Sequence, residues 1–111
     1  MKKFDSELIK KAHKFTKMYL KWNPMAGLDY KIEFGIIVKE LLEGHELDLL
    51  LVIANGNQID WNEWNKYGKN RIYFSTWENR HKYGYGFYDL DNKEYVLENR
   101  YTVQHNLYEA A

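Results

Sequence analysis

The residues best equipped for chemistry are four histidines, His13, His45, His81 and His105, in a chain of 111 residues that has no cysteine. No two of them stand at a metal-ligand spacing, so a zinc site would need carboxylates converging from distant segments. Neither a metal nor a cofactor is expected. The absence of cysteine excludes thiolate nucleophiles, disulfides and Cys-based zinc sites. Asp89, Asp91, Asn92 and Glu94 imitate the start of a calcium loop, but the turn glycine and the later bidentate Glu are missing. Asp-Asn between two strands is ordinary hairpin chemistry. Glu63, Glu78 and His81 could assemble an acid/base group, yet their spacing does not require it, and 16 acidic residues supply such groupings by chance. GxSxG, Walker-type and GxGxxG motifs are absent, and Gly84-x-Gly86 falls within a strand pattern, where glycine marks a bulge or a close approach. The expectation is a protein that is not an enzyme.

The remaining constellation is basic and aromatic. Residues 66–82 hold Lys66, Lys69, Arg71, Arg80 and Lys82 against Glu78 alone, a local charge of +4, with Tyr67, Tyr73, Trp77 and Tyr83 interleaved. Aromatic rings flanked by cations stack single-stranded bases on several sheet folds. Tyr, Trp and Arg also dominate the energy of protein interfaces. The plainest reading is an aromatic-rich core whose hydroxyls reach water. The candidate partner-binding residues are Tyr67, Arg71, Tyr73, Trp77, Arg80 and Tyr83, with Trp61 and Trp64 at the margin. A net charge of zero favours a protein partner over nucleic acid. The charge is nonetheless uneven, at +5 over residues 1–22 and −4 over 23–54. Lys10, Lys14, Lys17 and Lys21 form the candidate nucleic-acid contact, although four lysines without arginine are poor tools for bidentate recognition.

Elements must position these residues. Asp5 or Ser6 caps a first helix that Asn23-Pro24 ends. Leu8, Ala12, Phe15, Tyr19 and Trp22 make its apolar stripe, and the four lysines make a ridge on the opposite side. Asp29 caps a second helix with an inward stripe of Tyr30, Phe34, Ile37, Val38 and Leu41, stopped at Gly44. Ile32 and Ile36 lie on another side, which implies that more than half of this helix is covered. Residues 45–54 suit a strand or a short helix ending at Asn55-Gly56, with leucine content favouring the helix. Residues 58–64, 71–77, 83–90 and 93–97 then read as four short strands, and the short breaks between them demand antiparallel neighbours. Strict alternation puts Tyr83, Tyr85 and Phe87 on one face and Tyr88 on the other. Residues 101–111 read as a trailing segment that packs as a short helix or frays. The expected fold is α+β: two or three N-terminal helices packed on a four-stranded antiparallel β-meander, a single domain over residues 1–111. No stretch approaches a membrane span or a signal peptide, so a cytoplasmic location and no membrane contact are expected. The oligomeric state is open.

Residues 11–17 (KAHKFTK) and 29–35 (DYKIEFG) resemble the opening of small accessory proteins of phages and integrative elements of Gram-positive bacteria. Residues 64–74 (WNKYGKNRIYF) are similar to a hairpin in other such proteins. The resemblance covers less than half of the chain, carries no catalytic residues, and does not extend to the aromatic C-terminal meander. It implies a mobile-element product that binds a host defence protein or nuclease complex, as anti-CRISPR and anti-restriction proteins do.

Overall fold

The computed structural model describes residues 5–97 and 103–110. The elements run α1 (Ser6–Trp22), a 3₁₀ turn (Pro24–Ala26), α2 (Tyr30–Leu42), α3 (Glu46–Gly56), β1 (Asp60–Lys66), β2 (Lys69–Glu78), β3 (His81–Asp89), β4 (Glu94–Val96), β5 (Val103–Gln104) and a second 3₁₀ turn (Leu107–Glu109). Three helices followed by a four-stranded antiparallel sheet make the α+β arrangement that the pattern predicts, and residues 45–54 resolve as helix. Two compact units divide the chain, one ending at His45 and the other spanning Glu46–Ala110. Among the described residues, no helix is long and apolar enough to cross a membrane.

In the first unit, Asp5 and Asp29 are the N-caps, accepting hydrogen bonds from the Leu8 and Ile32 amides at 3.0 and 3.2 Å. α1 and α2 pack against each other. Leu8, Ala12 and Phe15 of the predicted stripe are buried, joined by Thr16 and Met18. Thr16 is accommodated because its hydroxyl donates to the Ala12 carbonyl at 2.7 Å. α2 ends where the His45 amide reaches back to the Glu40 carbonyl at 2.9 Å and the Gly44 amide to Leu41 at 3.1 Å. The coverage expected for α2 reaches more than half of its residues but stops short of Ile32 and Ile36. Ile37 and Leu41 are buried, but Ile32 and Ile36 are 62% and 51% exposed, because they point away from the single stripe that α1 contacts.

In the second unit the sheet runs β1-β2-β3-β4, with β5 added parallel to β3. β4 pairs with Phe87, Tyr88 and Asp89, and β5 pairs with Tyr83 and Gly84, so the two share one edge of β3. That parallel strand was not predicted: two residues are too short for any periodic signal. Leu50, Ile53 and Ala54 of α3, Ile72 and Phe74 of β2, Tyr88, Leu107 and Tyr108 are all buried in this unit.

One irregularity decides which side chains share a face. Tyr73 pairs with Phe87, but Ser75 pairs with Gly84, so β3 carries one residue more than β2 across this interval. Gly86 sits in it at φ +94°, a conformation that side-chain-bearing residues avoid. The bulge reverses the parity of β3. Tyr83, opposite Thr76, therefore lies on the other face from Phe87, opposite Tyr73, which corrects the strict alternation expected from the sequence.

Candidate aromatic and basic binding surface

β1, β2 and β3 are joined by two tight turns at opposite ends of β2, roughly 30 Å apart along a ten-residue strand. Tyr67-Gly68 closes the first, at φ +54° and +71°; Asn79-Arg80 closes the second, at +50° and +68°. Two consecutive positive φ values are the signature of the type I′ turn, whose twist matches that of the strands it joins. Asn and Gly suit these positions; Tyr67 and Arg80 do not, and each is exposed at its tip.

Around the second turn, Trp77 pairs with Lys82 and Glu78 with His81. Trp77 is 63% exposed, with the Lys82 ammonium 5.9 Å from its ring centroid. Around the first, Lys66 faces Lys69 directly, a like-charge cross-strand pair, and Tyr67 is 88% exposed. Its ring is tilted against Trp64 at 6.1 Å.

Arg71 and Tyr73 occupy a different environment. The Arg71 guanidinium donates to the Tyr73 hydroxyl at 2.8 Å and lies 4.1 Å over the Phe87 ring. Tyr73 contacts Phe87 at 5.2 Å and Trp64 edge-on at 6.0 Å, and it is buried. These four side chains form a small secondary core. Tyr83 is half-buried against the His105 ring at 5.8 Å. The six candidates are thus not one patch. Tyr67 lies at one tip, Trp77 and Arg80 at the other, Arg71 and Tyr73 are packed between, and Tyr83 is on the reverse face. Trp61 is exposed and donates from its indole to Asn55 at 3.3 Å.

Lys10, Lys14, Lys17 and Lys21 are all exposed on α1, with Lys10 3.7 Å from Glu7. His13 stacks on Phe34 at 4.4 Å and shares a 2.5 Å hydrogen bond with the Tyr30 hydroxyl, which makes it part of the helix contact.

Glu78 faces His81 across the second turn, whereas Glu63 pairs with Ile72, six residues back along β2 and about 20 Å away, so Glu63 stands apart from the other two. Asp89 accepts from the Asp91 and Asn92 amides at 3.0 and 3.3 Å and from the Asn92 side chain at 2.8 Å. Those bonds, the Asn92 side chain first, hold its carboxyl below the usual range and brace the turn between β3 and β4.

Two groupings escaped the sequence pattern. Glu40, Glu43 and His45 place their donor atoms within 4.8 Å of one another, with His45 Nδ1 2.6 Å from Glu40 Oε2. The chain reversal at Gly44 brings them together, so helical spacing alone does not reveal the group. The second is Glu46, fully buried, whose charge adds to burial in raising the pKa values of Tyr88, Tyr95 and Tyr108. Tyr95 donates to the Tyr85 carbonyl and accepts from the Leu107 amide at 2.9 Å. Burial favours the protonated form of all three phenols, and the Tyr95 hydroxyl ties β3 to the segment at Leu107.

Comparison with known proteins finds no matching family model, no matching curated protein and no matching solved structure.

Proposed function

We propose that this chain is a non-enzymatic binding protein of a mobile element, acting by protein–protein contact on a host defence nuclease. The contact surface of this reading is the pair of hairpin tips, led by Trp77 and Arg80, with Tyr67 at the far end of β2. One observation carries it. Both type I′ turns hold a large exposed side chain, Tyr67 or Arg80, at a left-handed position where Asn or Gly is more stable. Strain of this kind is tolerated where the side chain has a use, and an exposed tryptophan with an adjacent ammonium beside one such turn is the composition of an interface anchor. A steric block needs rigid projections rather than a pocket, and strand-borne tips supply them.

The second reading is single-stranded nucleic-acid binding, supported by the four exposed lysines of α1 and by ring faces able to stack bases. A salt titration separates the two. Phosphate binding weakens by orders of magnitude between about 50 and 200 mM salt, because each contact releases counterions. A complex anchored by aromatic side chains changes far less. The experiment is capture from a bacterial lysate with the tagged protein, with and without nuclease, at two salt concentrations. A stoichiometric protein partner that survives both treatments supports the proposal. Nuclease-sensitive, salt-sensitive capture overturns it.

A further inference from the structure

Among the described residues β1 pairs with β2 alone, so its outer edge presents unpaired backbone groups. Every residue of this strand except Trp64 is exposed. We infer that this edge pairs with β1 of a second copy, antiparallel and centred on Glu63, giving a two-fold dimer with a continuous sheet.

Hydrogen-bond parity narrows the register, and pairing the full length of β1 centres it on Glu63. A two-residue turn leaves its flanking pair, here Lys66 and Lys69, as a hydrogen-bonded pair. Counting back, Trp64, Asn62 and Asp60 bond to β2, whereas Asn65, Glu63 and Trp61 turn their N–H and C=O groups outward. The next residue of β2 agrees: the Asn70 carbonyl, opposite Asn65, bonds the Leu90 amide at 2.9 Å and so points away from β1. A two-fold antiparallel pairing must match outward residues with outward residues. Centring on Glu63 does so, setting Trp61 opposite the second copy's Asn65 and Glu63 opposite its own equivalent.

The same register sets Asp60 opposite the second copy's Lys66, and Lys66 opposite its Asp60, on the face shared with Tyr73. Two cross-strand pairs of opposite charge result. This complementarity is what selects a second copy over an unrelated strand. The Glu63–Glu63 pair on the other face opposes association, and its removal is a separate test of the register.

The test is sedimentation equilibrium of the full chain, its Asp60→Lys and Lys66→Asp variants, and their equimolar mixture, with far-UV circular dichroism confirming the fold. The wild type is expected to dimerise with concentration. Each variant alone faces two like-charge pairs and weakens association about tenfold or more. The mixture recovers it, because both cross-pairs of the mixed dimer are again opposite in sign. Glu63→Gln tightens the dimer. A wild type that stays monomeric overturns the inference. So does a dimer indifferent to the single substitutions, one that mixing does not restore, or one that Glu63→Gln leaves unchanged or weaker.

Discussion

At the scale of single residues, Tyr73 and Trp77 are four positions apart on β2 and have opposite roles. Tyr73 is buried, with its hydroxyl bonded to Arg71, so Tyr73→Ala is expected to destabilise the fold by about 3 kcal/mol in a denaturant titration. Trp77→Ala removes an exposed ring and is expected to stay within about 0.5 kcal/mol of wild type. Its effect appears in partner binding instead, as a loss of about 2 kcal/mol or more. The sequence shows both as aromatic residues of one strand face. It does not show which is covered, because the cover over Tyr73 comes from Trp64 and Phe87 on neighbouring strands, in a register that only pairing defines. The tyrosines also carry a pH dependence. Tyr85, Tyr88, Tyr95 and Tyr108 all have raised pKa values, each chiefly through burial. A raised phenol pKa means that the unfolded chain ionises first, so this contribution to stability is complete below about pH 10 and is lost progressively above it. Ultraviolet titration of the native protein is expected to leave these four protonated while unfolded chain ionises normally. Asp89, with its lowered pKa, acts at the other extreme: its contribution is present above about pH 4 and is lost as pH falls through the native value.

At the scale of elements, the helices are the legible part. Capping aspartates, an apolar stripe and a glycine stop are local signals, and the structure uses Asp5, Asp29 and Gly44 as the sequence suggests. The meander is legible too, from its short breaks. What escapes local reading is the bulge in β3, because a glycine in a strand marks several different irregularities and only the partner strand says which. Gly86→Ala is the direct check. The added methyl would meet the Val96 carbonyl, with Leu97 Cα and Tyr95 Cε1 both at 3.2 Å, at a φ of +94°. A loss of about 2–3 kcal/mol is expected, with β4 the first strand to lose protection in hydrogen exchange. Arg80 tests the reverse case. Arg80→Gly creates the Asn-Gly sequence that a type I′ turn favours, and stability is expected to rise by about 1 kcal/mol while binding falls. A variant both less stable and fully binding would show that the arginine is there for the turn alone.

At the scale of the whole chain, zero net charge and an uneven charge distribution give different guidance. The total argues for a protein partner, and the α1 lysines keep nucleic acid in view. The sequence grouped six residues into one candidate surface, but β2 is long enough to carry Tyr67 and Trp77–Arg80 to opposite ends, with packed side chains between. The central claim is that the second hairpin tip holds a protein partner. Capture from nuclease-treated bacterial lysate, with the wild type, a Trp77→Ala/Arg80→Ala variant and a variant with Lys10, Lys14, Lys17 and Lys21 all changed to Gln, tests it most directly. The account predicts a stoichiometric protein partner for the wild type and the lysine variant, and its loss from the Trp77/Arg80 variant. A partner held equally by the Trp77/Arg80 variant, or a capture abolished by the lysine changes or by nuclease, would contradict it.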